Sequence, residues 1–220
     1  MSGRRRGPPP VFAALIALVV AGGLVALYVG TDRGSGSTGR SGPGTAGAYA
    51  FQVGKPGVGQ SAPPVRLAST AGGTFDLASQ QGHTTLLYFQ EGLTCQPCWD
   101  QLADIQKHAA AFKAAGVDTI ISVTTDPLDA LRQKVADEGL TVPVLSDPDL
   151  EVSKAFEANS HGMMGTSRDG HTFVLVDAEG RIAWRADYGG APDYTMYIPP
   201  LDLLADLRKE APRASTTPAP

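Results

Sequence analysis

Cysteine is almost absent from this chain: 220 residues contain two, Cys95 and Cys98. That scarcity excludes a small scaffold stapled by several disulfides, and it excludes a zinc site built from two Cys-x-x-Cys pairs. Net basic charge is missing too. The formal sum is −4, and it hides a split, because residues 1–49 hold five arginines (Arg4, Arg5, Arg6, Arg33, Arg40) against one acid, Asp32. The remainder keeps 13 basic and 21 acidic groups, a balance of −8. A body of that sign excludes a nucleic-acid partner, whose phosphates need a net basic surface. No internal repeat is visible, so a solenoid is excluded as well.

Charge vanishes entirely from Val11 to Val29, VFAALIALVVAGGLVALYV. A helix rising about 1.5 Å per residue over that run nearly matches a hydrocarbon core of about 30 Å. A cleaved signal peptide has an apolar core of only about 7–15 residues, and no small-x-small cleavage site directly follows this run. No cysteine stands near its end to make a lipoprotein. Arg4, Arg5 and Arg6 mark the cytoplasmic side. The expectation is a basic cytoplasmic tip (1–10), a single-pass transmembrane anchor (11–29) in the cell membrane and an extracytoplasmic body. Residues 30–48 are Gly- and Ser-rich, a flexible linker with a span on the order of 25 Å for about 20 residues. Residues 211–220, APRASTTPAP, form a loose tail. The folded domain is 49–210.

Within it, Gln60–Leu67 and Gly73–Leu77 alternate apolar and polar residues around Ala71-Gly-Gly, which predicts a β-hairpin ahead of the main sheet. Thr84–Gln90 and Val117–Val123 read as buried strands. Between them, Trp99, Leu102, Ile105, Ala109 and Phe112 fall at helical spacing, predicting one helix from Pro97 to Ala115, closed by Gly116. Asp126-Pro127 and Asp147-Pro148 give the same signal twice, an acidic N-cap followed by Pro in the first turn. They predict helices ending near Asp137 and Glu157, with Val142-Pro-Val-Leu between them. Thr172–Asp177 and Arg181–Ala186 flank the turn Ala178-Glu-Gly as a closing antiparallel hairpin, and Leu201–Leu207 is a last amphipathic helix. The class is α/β, with a mixed central sheet flanked by helices.

The chemistry lies in LLYFQEGLTCQPCWDQL, from Leu86 to Leu102. A strand leads through a short loop into Cys95-x-x-Cys98 at the start of a helix. Helix N–H groups and the macrodipole stabilise a thiolate there, and the spacing lets one thiol resolve a mixed disulfide formed at the other. Cys95 is the expected nucleophile and Cys98 the resolving thiol. A structural disulfide closing so short a loop would constrain little chain entropy.

Together with SAPPVRL and GGTFDL before it, VPVLSDPDLEVSKAF in the middle and HTFVLVDAEGRIAWRADYGG near the end, this stretch resembles the redoxins of the alkyl hydroperoxide reductase / thiol-specific antioxidant family. The resemblance implies a thioredoxin-like fold with an N-terminal β-hairpin extension. It also implies a redox-active disulfide with no other cofactor, and, for membrane-anchored bacterial members, extracytoplasmic thiol–disulfide exchange. The sequence departs from the family at two positions: where peroxidatic members place Pro, then Thr or Ser, ahead of the reactive Cys, this chain has Glu91 and Cys95 ahead of Cys98. If peroxide chemistry operates, Cys98 holds the peroxidatic place. Arg168 stands two residues short of the family's active-site Arg. His171 occupies the slot of the thioredoxin cis-proline and is either a group that tunes Cys95 or a hydrogen-bonded loop histidine.

Glu91 reads as a proton acceptor for the resolving thiol or as a solvated loop acid. Trp99 is a substrate platform or core packing, and Thr94 a substrate contact or a helix-start residue. The Tyr- and Pro-rich loop 188–200, with Tyr194, either covers the site and recognises substrate or packs on the sheet edge. The leading expectation is a thiol–disulfide oxidoreductase acting on a cysteine-containing protein, or on a small thiol or peroxide, with a separate redox partner. The alternatives are a thiol peroxidase and a Cu(I) or Zn(II) carrier using Cys95, Cys98 and His161, His171 or Met163.

Overall fold

The computed structural model describes residues 49–210. The basic tip, the anchor 11–29, the linker and the tail of the sequence reading lie outside the described residues. Among the described residues no helix is long and apolar enough to cross a membrane.

Seven strands form one sheet in the order β2-β1-β5-β4-β3-β6-β7. They are β1 (Arg66–Ser69), β2 (Thr74–Asp76), β3 (Thr85–Phe89), β4 (Thr119–Thr124), β5 (Val144–Ser146), β6 (Thr172–Val176) and β7 (Ile182–Asp187). β3, β4 and β5 run parallel and the other pairings are antiparallel, so the sheet is mixed as expected. The leading hairpin does not stand ahead of the sheet. It joins it, because β1 pairs with β5 through Ala68↔Ser146 and Ser69↔Leu145. The segment before β1 reaches the opposite edge, where Gln52 bridges Asp187 and Ser61 bridges Arg181.

β5 is a strand that the hydrophobic pattern misses. It has three residues between Pro143 and Asp147-Pro148, too few to show a period, yet all three are buried. β3 is buried throughout because both faces of the sheet are covered. Leu86 and Tyr88 pack with Trp99, Leu102, Phe112, Leu131 and Leu203. Leu87 and Phe89 pack with Val65, Leu77, Val152 and Phe156. The closing hairpin turns as predicted, helped by Asp177, whose Oδ1 accepts the Glu179 and Arg181 N–H groups at 3.1 and 2.7 Å.

The helices are α1 (Gln96–Lys107), α2 (Ala109–Ala114), α3 (Leu128–Asp137), α4 (Glu151–Ala155) and α5 (Pro200–Glu210). The single helix expected from Pro97 to Ala115 is broken at His108. Its ring Nδ1 lies 2.8 Å from the Asp104 carbonyl, competing with the backbone N–H that bonds the same oxygen at 3.1 Å. The helix expected to reach Glu157 stops at Ala155, since Glu157 adopts a left-handed φ of 49°. Asp147 is not the N-cap of α4, which is Leu150, so Pro148 lies ahead of the helix; from there Asp147 still accepts the Glu151 and Ser153 N–H groups at 3.1 and 2.8 Å. Asp126 does not cap α3, which starts without a side-chain cap; its carboxylate turns to the functional site instead.

Candidate active site

β3 delivers the chain to the parallel end of the sheet, and Gln90 extends the ladder by donating to the Val123 carbonyl at 3.0 Å. The turn that follows depends on Gly92. Its φ is +86°, and a Cβ there would collide with the Asp126 carboxylate and Thr124 Oγ1, so only glycine fits. Asp126 Oδ2 accepts the Leu93 N–H at 2.7 Å, and the Gly92 carbonyl accepts Trp99 Nε1–H at 3.0 Å. The loop is thereby pinned to β4 on one side and to α1 on the other.

Cys95 is the N-cap of α1, with Pro97 in the first turn. A disulfide joins Cys95 to Cys98, their Cα atoms 5.3 Å apart. The Cys98 N–H donates to Cys95 Sγ at 3.3 Å. This is the capping geometry that stabilises a thiolate when the bridge is reduced, and the macrodipole acts in the same sense. Both cysteines are buried, Cys95 retaining 6% exposure and Cys98 none. Met196 packs on both cysteines.

At Met196 the loop 188–200 lies against the Cys pair, and at Tyr188 it packs on Phe173 of the sheet. Its Ile198 N–H donates to the buried Gln101 Oε1 at 2.6 Å, and Tyr197 Oη–H donates to Asp104 Oδ2 at 2.6 Å, which fastens the loop along α1. Tyr194 is 43% exposed with φ +46°, on the solvent side of that loop. An open depression of about 410 Å³ adjoins Pro97, between Asp100, Asp104 and Tyr197.

His171 is buried, and its hydrogen-bond partner is Tyr88, not Cys95. Tyr88 Oη lies 3.0 Å from His171 Nδ1 and donates to the Cys98 carbonyl at 3.3 Å. Tyr88 has one proton, so when it bonds Cys98 the ring must carry hydrogen on Nδ1 and leave Nε2 bare. Burial lowers the His171 pKa to about 3, so the ring is neutral at physiological pH. Burial, then the nearby Glu91 charge, pushes the Tyr88 phenol well above its ordinary value. Sequence reasoning missed Tyr88 because it sits inside an apolar strand, where periodicity assigns it only to the core.

Glu91 is no solvated loop acid. It is buried, and its Oε1 accepts the Met163 N–H at 2.8 Å. Arg168 donates to the Glu91 carbonyl at 3.0 Å and pairs with Asp126 at 2.9 Å, so it organises the loop and is not directed at a sulfur. Trp99 has no exposed surface and cannot act as a substrate platform; its ring is core. Thr94 is exposed just outside the helix. His161 bonds Gln52 Oε1 at 3.2 Å and faces Asp187 at 3.9 Å, while Met163 is 55% exposed. Among the described residues no three His, Cys, Asp or Glu side chains gather to hold a metal.

Asp169, two residues before His171, is also fully buried. Burial, with the charges of Asp147 and Asp126 adding to it, holds its carboxyl well above the usual carboxylate range.

The fold recurs among solved structures. Peroxidoxin BcpB from Mycobacterium tuberculosis superposes with a TM-score of 0.58 at 18% identity, over 69% of this chain and 96% of that one. A Bacteroides thetaiotaomicron protein titled as a disulfide isomerase gives 0.51 at 19% identity, over 74% and 93%. In sequence, a Mycobacterium tuberculosis protein named as a peroxiredoxin is 32% identical over 128 residues, which are 56% of this chain and 80% of that protein. The AhpC/TSA family model matches residues 58–185, a span that runs from the leading hairpin through the disulfide to β7. A cysteine pair on a helix start in this fold, inside that match, identifies the chain as a thiol oxidoreductase belonging to the AhpC/TSA family.

Proposed function

We propose that this chain is a membrane-tethered, extracytoplasmic enzyme that exchanges dithiols and disulfides with cysteine-bearing partners. The observation that carries the reading is the Cys95–Cys98 bridge on the first turn of α1, with Cys95 capping the helix and the more exposed of the two. In the reducing direction, the Cys95 thiolate attacks a substrate disulfide, forms a mixed disulfide and expels one substrate thiolate. Cys98 then attacks the Cys95 sulfur, restores the Cys95–Cys98 bridge and releases the second substrate thiol. Two electrons and two protons pass to the substrate, and a partner dithiol re-reduces the pair. In the oxidising direction the same steps run in reverse, with a disulfide partner as acceptor. A potential near about −270 mV assigns the first direction and one near about −120 mV the second.

His171 enters this scheme as a neutral ring that reaches the Cys98 peptide through Tyr88. Glu91 is the nearby buried carboxylate for the proton of the resolving thiol. The uncharged run 11–29 behind three arginines supports the tether.

The test is trapping. Cys98→Ser should accumulate partners bound through Cys95 that dithiothreitol releases, and Cys95→Ser should accumulate none. Equal trapping by both variants, or by neither, overturns the assignment of roles.

A second reading, thiol peroxidase, is favoured by the family match and by the name of the mycobacterial relative. There Cys98 thiolate would attack a hydroperoxide, giving Cys98 sulfenic acid and an alcohol, and Cys95 would condense with it to the disulfide and water. Cys98 has no exposed surface and Arg168 is engaged by Asp126 and the Glu91 carbonyl, which supports the exchange reading over this one. Dimedone capture at Cys98 in a Cys95→Ser variant, with catalytic peroxide turnover by the parent, would reverse that order.

A further inference from the structure

Six large hydrophobic side chains are exposed among the described residues, and three of them, Met163, Met164 and Tyr194, stand on two loops fastened beside the cysteine pair. The loop 161–168 is tied to Glu91, four residues ahead of Cys95. Glu91 Oε1 accepts the Met163 N–H at 2.8 Å, and the Glu91 carbonyl accepts Arg168 at 3.0 Å. This loop is also closed on itself, since Ser167 Oγ–H donates to the Met164 carbonyl at 3.1 Å and Asn159 Nδ2–H to the Thr166 carbonyl at 2.9 Å. The loop 188–200 is held two residues after Tyr194, where Met196 packs on both cysteines. The two loops meet at His161, whose carbonyl stands where a Cβ of Gly189 would go.

A loop tied at so many points holds its side chains where they are, and here it holds two methionines in water, at 55% and 50% exposure. Exposed apolar side chains gathered on such loops mark a binding surface. The redox centre says what covers it. Cys95 keeps little exposure and Met196 rests on it, so a partner sulfur reaches it on a slender, extended segment. The residues flanking that sulfur are then brought against the two loops. Methionine is flexible and polarizable, so it accommodates apolar side chains of differing shape.

We propose that Met163, Met164 and Tyr194 dock an extended polypeptide segment whose cysteine is flanked by large apolar residues. The proposal rests on the exchange reading above and names its substrate class, a protein chain that has not finished folding. In a folded partner such flanking residues are buried and the surface finds nothing to hold.

The probes are two peptides, Ala-Leu-Cys-Phe-Ala and Ala-Ser-Cys-Ser-Ala, with 2-hydroxyethyl disulfide as a small neutral substrate. Reduced full-length protein is mixed with each disulfide and oxidised protein with each peptide thiol. Single-turnover rates are read by acid quench, alkylation and mass spectrometry. The Leu/Phe peptide should exchange roughly tenfold faster than the Ser peptide, the gain from removing about 55 Å² of apolar surface from water. The double substitution Met163→Ser with Met164→Ser should bring that ratio below about two. Equal peptide rates on the parent chain, with 2-hydroxyethyl disulfide still exchanging, overturn the docking surface and leave the exchange reading standing. No exchange with any of the three strikes that reading and the proposal with it. A preference that survives the double substitution also overturns the proposal. So does self-association that the double substitution abolishes, which would give the surface to a second copy.

Discussion

Replacing His171 with Asn should change how stability depends on pH, by an amount that follows from burial. The ring is inaccessible, and burial alone brings its pKa from 6.5 to about 3. A base whose folded pKa is lowered contributes stability above its unfolded value and loses it as pH falls, because the unfolded chain takes up the proton first. The window is therefore pH 6.5 down to about 3, with a slope of about 1.4 kcal/mol per pH unit. Between pH 7 and 4.5 the loss amounts to about 2.5 kcal/mol. The raw pH profile of the parent does not isolate it. Asp169, whose pKa is raised, contributes in the opposite sense: its stabilisation is complete below 3.8 and disappears as pH rises through its folded value. The two slopes oppose each other from about pH 4 upward, as far as the folded Asp169 carboxyl stays protonated. Asn keeps a polar group near the Nδ1 position for Tyr88 but does not titrate, so the difference between variant and parent isolates the histidine. Urea unfolding with the disulfide intact, at several values from pH 7 to 4.5, gives that difference. The parent should lose about 2.5 kcal/mol relative to His171→Asn over this range. Parallel profiles would refute the claim that His171 is held neutral by burial.

Three further outcomes follow from the same site. Tyr88→Phe strands His171 Nδ1 and removes a bond to the Cys98 carbonyl; it should cost about 1–3 kcal/mol in urea unfolding of the oxidised protein. Arg168→Ala leaves the buried Asp126 carboxylate without its ion partner. A loss of roughly 1–3 kcal/mol is expected, together with faster hydrogen exchange at Leu93 and Met163, and unchanged exchange there would contradict the pinning role. Gly170→Ala drives a Cβ into the His161 carbonyl; soluble yield and circular dichroism should show a chain that folds poorly, and a native melting curve would show that the backbone there has room.

The parts of this protein legible in the sequence are those encoded locally. Cys95-x-x-Cys98 at a helix start and the β6–β7 hairpin need only near neighbours and are found where they were read, and the turn at Ala71-Gly-Gly does join two strands, although the first is Arg66–Ser69 and not Gln60–Leu67. Missed or misassigned features depend on distant partners. Asp126 has the local look of an N-cap, yet Arg168 and Leu93 claim it across the fold. Tyr88 reads as one more apolar position until β6 brings His171 beside it, and β5 becomes a strand only because β4 and β1 flank it. The break at His108 turns on a side chain bonding a carbonyl one turn back, which spacing cannot reveal.

The segment before β1 carries a consequence for how this sheet behaves in company. A sheet has two borders, each a row of backbone groups able to recruit a foreign chain. One border here is β2, three residues long and partly exposed, a poor template. The other, β7, is six residues long with an apolar inner face, and the Gln52–Asp187 and Ser61–Arg181 bridges lie along it. The protein thus seals its own aggregation-prone flank with chain that precedes the hairpin. A nick between Gln52 and Ser61 would leave every catalytic group in place and still turn β7 into a seam for self-association.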